Sequence, residues 1–360
     1  MTLELKNVSL RVGSETHIHP ASVTLADDGF NLLLGTTLAG KTTLMRLMAG
    51  LIKPTTGEIW FNGRNVTGVP VQKREVSMVY QQFINYPNFT VFENIASPLR
   101  VVRMPKAEIQ NRVGRMAELL RLTPMLQRKP NELSGGQQQR TALARALVKG
   151  TDLVLLDEPL ANLDFKLREE LRDELPRLFA DRRCTVVYAT ADPSEALLFG
   201  GHTAILHQGR VVEYGPTGKL YRRPGDLQAA KVFSEPPINV AAVTKSGSEI
   251  RLSDGVTWTA EGDAASLADG RYIIGIRPHF VTPADSGVET GVAIYGRIQI
   301  AELSGSESVI HFDHAGKGWV SQFHGLRSFE VGETARFHFD PARCLYFAED
   351  GQRLAGGEAS

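Results

Sequence analysis

The run Gly35-Thr36-Thr37-Leu38-Ala39-Gly40-Lys41-Thr42 sets two glycines, a lysine and a hydroxyl at the spacing Gly-x4-Gly-Lys-Thr. That combination suits a polyphosphate. Glycines let the backbone wrap until amide N–H groups point at the anion, and a helix starting directly afterwards adds the positive end of its dipole. Lys41 would neutralise the outer phosphates, Thr42 would offer its hydroxyl to Mg²⁺, and the backbone through Thr43 would complete the cradle. Downstream, Asp157 ends the apolar run Leu153–Leu156 and is followed by Glu158. Asp157 is the expected Mg²⁺ partner, acting through water, and Glu158 the general base that polarises an attacking water. A second anion-binding helix start is expected at Leu133-Ser134-Gly135-Gly136-Gln137-Gln138-Gln139-Arg140. There Ser134 offers a hydroxyl, and Gly135 and Gly136 expose their amides. An N-cap accounts for Ser134 alone, but not for Gly-Gly followed by Gln-Gln-Gln-Arg.

Such side chains need a rigid sheet edge behind them. Phe30–Leu34, Leu153–Leu156 and Thr185–Thr190 are apolar or β-branched runs suited to parallel strands buried on both faces. Helical patterns separate them: Leu44, Leu47, Met48 and Leu51 follow the first strand, while Leu143 and Leu147 lie in a helix that Lys149 and Gly150 would close. This is the α/β pattern, with the acidic pair at the carboxyl edge where open sheets bind ligands. Beyond Ser234-Glu235-Pro236-Pro237 the texture changes to short strands at Glu249–Leu252, Tyr272–Ile276, Val292–Ile300, Ser308–Phe312 and Ala335–Phe339, the look of a small antiparallel barrel.

The chain has 360 residues, enough for two domains, and its 40 basic and 40 acidic side chains cancel, so no basic footprint for nucleic acid is present. Cys184 and Cys344 belong to no metal-spaced cluster and read as buried or incidental thiols. No segment reaches the roughly 18 apolar residues of a membrane span, and Glu4, Lys6 and Arg11 stand where a signal peptide needs an apolar stretch. The expectation is a cytosolic chain, or one that docks on a membrane through a partner.

With the phosphate loop, the acidic pair and the Ser-Gly-Gly-Gln segment in one chain, the sequence resembles the ATP-binding subunits of ABC transporters. The resemblance implies ATP and Mg²⁺ as cofactors, and a dimer in which Ser134, Gly135, Gly136 and Gln137 reach the nucleotide held by another subunit. It also assigns Gln81 to Mg²⁺ and the attacking water, and Asp164 in Leu160-Ala161-Asn162-Leu163-Asp164 to the dimer interface. Gln82-Phe83-Ile84-Asn85-Tyr86-Pro87 then looks like the surface that receives a helix from a transmembrane subunit. Gly275-Ile276-Arg277-Pro278, Ser304-Gly305-Ser306-Glu307 and Asp350-Gly351-Gln352-Arg353-Leu354 look like the β-domain of maltose-type and glycerol-phosphate-type importer ATPases. The wording around Tyr86-Pro87, Pro159–Asp164 and Glu169–Pro176 is similar to glycerol-type uptake systems. The fold implied is an α/β P-loop NTPase (ABC ATPase) domain with a helical subdomain over 1–235. A small all-β, OB-like barrel domain over 236–354 follows, regulatory or dimerising, then a tail over 355–360. The implied partners are a second ABC ATPase subunit, two transmembrane permease subunits and, indirectly, an extracellular or periplasmic solute-binding protein. The implied place is the cytoplasmic face of the membrane, and nucleic acid is not an expected partner.

Two positions break the family's pattern. Where it has a histidine just after the strand that here runs Thr185–Thr190, this chain has Ala191, and Asp192, Pro193 and Glu195 form a capping-box-like helix start that fixes the register. No histidine occurs between His19 and His202, and His202 reads as a surface residue beyond that helix. Near the aromatic that stacks on adenine stands Val12, leaving His17 or His19 as substitutes or as plain turn and core residues. The expectation is a heterodimer with a related ATPase that keeps its own histidine. The alternative is a nearly inactive regulatory subunit that completes a partner's site.

Overall fold

A computed structural model describes residues 2–27, 29–82, 84–161, 163–180, 184–284 and 291–357. The chain divides into two compact units, Met1–Pro216 and Thr217–Ser360. In chain order the first unit holds β1 (Leu3–Val12), β2 (Glu15–Thr24), β3 (Gly29–Leu34), α1 (Lys41–Ala49), β4 (Thr56–Phe61), β5 (Arg64–Asn65) and β6 (Val76–Val79). Three helices follow, α2 (Val91–Val101), α3 (Lys106–Leu119) and α4 (Gly135–Leu147). Then come β7 (Leu153–Asp157), α5 (Phe165–Ala180), β8 (Thr185–Thr190), α6 (Pro193–Phe199), β9 (His202–His207) and β10 (Arg210–Pro216).

The main sheet has the order β10-β9-β3-β8-β7-β6. Its β3/β8, β3/β9, β7/β8 and β6/β7 pairs are parallel, so their carboxyl ends share one edge. Every residue of β7 and β8 is buried, which is why these stretches read as unbroken apolar runs rather than alternating ones. Helices α2 to α4, inserted between β6 and β7, form the helical subdomain.

Helix α1 begins on Lys41 because Gly40 takes a left-handed conformation (φ 102) that turns the chain into the helix, and it ends at Gly50 (φ 77). Leu51 lies past that end; it packs on the core from the loop rather than as a fourth helical position. Strands β1 and β2 join β4 and β5 in an antiparallel sheet of order β2-β1-β4-β5.

The second unit begins earlier than the sequence boundary at 235. Its first helices, Thr217–Arg222 and Leu227–Val232, belong with the β-structure that follows: Ala230 packs on Ile238, Leu345 and Phe347, and Arg277 donates to the carbonyl of Phe233 at 2.9 Å. Six antiparallel strands in and after Asn239–Ser246 form one sheet. A second sheet runs Val281–Pro283, Thr334–Phe339, Val292–Leu303, Glu307–His314, Lys317–His324. Its outer strands meet where the Ser321 hydroxyl donates to the carbonyl of Val281, so the five strands make a nearly closed antiparallel barrel of the OB-like kind. The chain end is less frayed than its composition suggests, since Arg353–Gly356 pairs with Leu345–Phe347 and buries Ala355. Residues 358–360 lie outside the described residues.

Inside the barrel, Phe312 and Phe337 stack with centroids 4.0 Å apart, and a Cβ at Gly296 would fall 2.0 Å from the Phe312 ring. Gly296→Ala must therefore displace that ring and should destabilise the unit by about 1–3 kcal/mol. Thermal unfolding of the variant checks this, and an unchanged midpoint would contradict the packing described.

Candidate functional site

The loop between β3 and α1 curls because its glycines have no room for a side chain. A Cβ on Gly35 would stand 2.5 Å from the carbonyl oxygen of Leu206 and 2.8 Å from the Ala39 Cβ, and one on Gly40 would stand 2.9 Å from Ile18. The turn between β9 and β10 closes this loop from behind, Gly209 N–H donating to Ala39 O at 2.9 Å. In front lies a cavity of about 530 Å³, lined by Thr37, Leu38, Ala39, Gly40, Lys41, Thr42 and Thr43. Gln81 and Glu158 line its far side, and Glu15, Thr16, His17, Gln208 and Gly209 its rim. Of those rim residues the sequence pointed only to His17; Glu15, Thr16, Gln208 and Gly209 gave no motif, because hairpin turns bring them there.

Lys41 is 5% exposed, and its ammonium donates to Gly35 O at 2.7 Å and Thr36 O at 3.1 Å. It also pairs with Glu158 Oε1 at 3.1 Å. Gln81 Nε2 donates to the other Glu158 oxygen at 3.0 Å. Glu158 is thus held from both sides, with its backbone left-handed (φ 46) and its N–H on Ala189 O at 3.1 Å. Next to it, at the buried end of β7, Asp157 accepts from Thr42 Oγ1 at 3.1 Å. Burial pushes the Asp157 carboxyl up from its ordinary value, opposed by the Thr42 hydrogen bond and reinforced by the Glu158 charge.

Of the residues singled out by sequence, Gly35 to Thr43, Gln81, Asp157 and Glu158 converge here. Ser134, Gly135, Gly136 and Gln137 do not; they start α4 on a different surface. There the Ser134 hydroxyl accepts from Gln137 N–H at 3.4 Å, and the Gln137 carboxamide accepts from Ser134 N–H at 3.0 Å, a complete capping box. Asp164 is exposed, precedes α5 and does not line the cavity. Asn162 and Phe83 lie outside the described residues.

Ala191 is exposed directly after β8, and the register is fixed by Asp192, whose carboxylate accepts from Ser194 N–H at 2.8 Å ahead of Pro193 at the first helical position. The capping-box role expected of Glu195 is not what it does. Its carboxylate is buried and accepts from Thr190 Oγ1 at 2.6 Å, Tyr188 OH at 3.1 Å and the Arg168 guanidinium at 2.9 Å. Burial and the Glu195 charge together push the Tyr188 phenol well up. His202 is not a surface residue but opens β9, half-buried and stacked on Tyr214. Val12 is 55% exposed at the β1–β2 turn and does not line the cavity, whereas His17 does. His19 instead sits half-buried in β2, its N–H on Gly209 O at 2.8 Å.

A second hollow of about 450 Å³ lies between α2, α4 and the chain after β6, with Tyr80, Ile84, Tyr86, Val101 and Val102 exposed around it. Arg145 shapes it, donating to the carbonyl of Ile84 and to Asn94 Oδ1 at 3.3 Å, with its guanidinium 4.7 Å above the Tyr86 ring. No helix among the described residues is long and apolar enough to cross a membrane.

Residues fit a magnesium nucleotide on three counts: a cradle that side chains would fill, a buried ammonium facing it, and a hydroxyl–carboxylate pair of the kind that holds Mg²⁺ with phosphate oxygens. Fold and site together define a P-loop nucleotide-binding protein. Residues 18–161 match the family described as ABC transporter, and residues 274–347 match the TOBE domain. The chain is 34% identical over 328 residues to the sn-glycerol-3-phosphate import ATP-binding protein UgpC of Yersinia pestis, covering 91% of each. It is 35% identical over 350 residues to the trehalose/maltose import ATP-binding protein MalK of Thermococcus litoralis, covering 93% of this chain and 94% of the other. A solved ATP-binding cassette, described as a dimer in a post-hydrolysis state bound to ADP and Pi, matches 60% of this chain and 98% of its own at 29% identity and a TM-score of 0.54. The chain belongs to the family of import ATP-binding proteins of ABC transporters.

The raised Asp157 carboxyl has a testable consequence. A carboxyl whose folded value lies above its unfolded one stabilises the fold at low pH, and that contribution is lost as pH rises through the folded value. Asp157→Asn removes the charge and keeps an acceptor for Thr42. Without nucleotide it should melt higher than the parent at neutral pH, with the gain shrinking as pH falls into the carboxylate range. A variant that melts lower at neutral pH would contradict the burial described.

Proposed function

We propose that this chain binds Mg-ATP in the cavity between Lys41 and Glu158 and couples its hydrolysis to the import of a polyol or carbohydrate, glycerol or a related solute foremost. The observation that carries this reading is the convergence of Lys41, Thr42, Gln81 and Glu158 on one cavity, with Asp157 buried behind Thr42 and hydrogen-bonded to it. Charged phosphate oxygens are stronger acceptors for a buried ammonium than the carbonyls of Gly35 and Thr36, so triphosphate binding would draw Lys41 off its own loop. Thr42 and Asp157 are the residues to hold Mg²⁺, which supplies charge neutralisation at the phosphates. Glu158, oriented by Gln81, takes the part of general base toward water. The solute is chosen elsewhere, by the permease subunits and their solute-binding protein. The chain works at the cytoplasmic face of the membrane, and the hollow around Tyr86 is the surface that would receive a permease helix. The relatives' names, one a glycerol phosphate importer and one a sugar importer, support the solute class and no finer choice.

Ala191 favours a second, narrower reading, in which the partner is a different ATPase chain. A methyl group cannot donate a hydrogen bond toward the nucleotide, and losing one positioned group costs on the order of 100- to 1,000-fold in rate. The face offered to a partner, Ser134 to Gln137, carries no such defect. A heterodimer would then keep one competent site, built from this chain's Ser134–Gln137 segment and the partner's phosphate loop, whereas a homodimer would hold two impaired ones.

Two outcomes follow. Lys41→Ala should weaken Mg-ATP binding by about tenfold or more, since it deletes a charged hydrogen-bond donor; equal titration heats from both proteins would remove the cavity from consideration. In the assembled transporter, Gly136→Asp should nearly abolish turnover, while Glu158→Gln should cost much less. Equal, severe losses from both would favour a homodimer.

A further inference from the structure

Gln139 stands one turn inside α4, five residues after Ser134, and is 3% exposed. Its Nε2 donates to the carbonyl of Pro159, the residue after Glu158. Its Oε1 is buried with no partner among the described residues. As core filling this is a poor choice: a buried amide with its acceptor unmet is costly, and an apolar side chain of similar volume would avoid the cost. Such a group calls for a role that needs the one bond it makes.

The bond has a particular address. Glu158 touches the cavity through both carboxylate oxygens, one on Lys41 and one on Gln81. Its left-handed backbone and the Ala161 N–H bond to its carbonyl at 3.3 Å form a tight turn, so a shift of Glu158 carries the Pro159 carbonyl with it. The neighbouring residue of α4 is gripped as well: Asn85 Nδ2, four residues beyond Gln81, donates to the carbonyl of Gln138 at 2.8 Å. Glu158, through Pro159, and Gln81, through Asn85, therefore each lead by a few residues of chain to adjacent residues at the start of α4. That same helix start carries Ser134, Gly135 and Gly136.

We propose that Gln139 is a positioning residue that makes the Ser134–Gln137 segment follow the state of this chain's own nucleotide cavity. When an anion draws Lys41 away from Glu158, the Glu158–Pro159 turn readjusts, and Gln139 passes that readjustment to the helix start. The link lies within one chain and rests on the reading of the cavity as an ATP site.

Amide hydrogen exchange of the full chain, followed by mass spectrometry over residues 134–140 with and without Mg-ATP, tests it. In the parent protein Mg-ATP should change exchange there by about fivefold, the low end of ordinary coupling between sites. In Gln139→Met, which keeps the volume and deletes the donor, that change should vanish while the Kd for Mg-ATP stays within about twofold of the parent. Gln139→Asn keeps an amide but falls one methylene short, and it decides the matter should the methionine variant not fold. An ATP-dependent change that persists in a folded variant overturns the proposal. So does a variant that loses ATP binding and the change together, or a parent that binds ATP with no change at 134–140. A parent that binds no Mg-ATP overturns the cavity reading itself, and this inference with it.

Discussion

A buried ammonium needs oxygens around it, and at Lys41 that requirement shapes everything near it. The loop must bend tightly enough to bring the carbonyls of Gly35 and Thr36 within reach, which only glycines at 35 and 40 permit. The carboxylate of Glu158 must arrive from the end of another strand, which requires β7 to lie near β3 with β8 between them. Two strands buried on both faces hold these ends still. The parallel sheet is thus the means by which one lysine meets one glutamate 3.1 Å away across 117 positions of chain, from 41 to 158.

Much of this was legible in the sequence, because local constraints write themselves locally. Gly-x4-Gly-Lys-Thr is one continuous turn, Leu153 to Leu156 is one continuous buried strand, and Asp192-Pro193 starts one helix. What stayed illegible depends on pairing between distant segments. The cavity rim at Thr16 and Gln208 is set by hairpin turns, and the antiparallel sheet of β1, β2, β4 and β5 has edges and bulges that blur its alternation. Glu195 reads as a capping residue by spacing, yet buried acceptors are so strongly favoured by hydroxyl and guanidinium donors that Thr190, Tyr188 and Arg168 claim it. The domain boundary moved from 235 to 216 for a similar reason: two short amphipathic helices carry no mark of which sheet they will cover.

Residue 191 shows how a site can be intact in frame and altered in content. Strand β8, the cap at Asp192 and the Glu195 cluster hold the backbone in place, while the side chain presented is a methyl group. Backbone geometry at this position is thus set by residues around it, and the identity of side chain 191 is independent of the frame that carries it.

The central claim is that triphosphate sits on Lys41 and is closed over by another nucleotide-binding chain. A density map of the assembled transporter stalled with ATP tests this most directly. It should show the β and γ phosphates against Lys41 and the backbone of residues 37–43, with the Ser-Gly-Gly-Gln segment of a second chain on their far side. Nucleotide bound elsewhere on the chain, or a triphosphate on Lys41 left open to solvent in the stalled complex, would contradict the account.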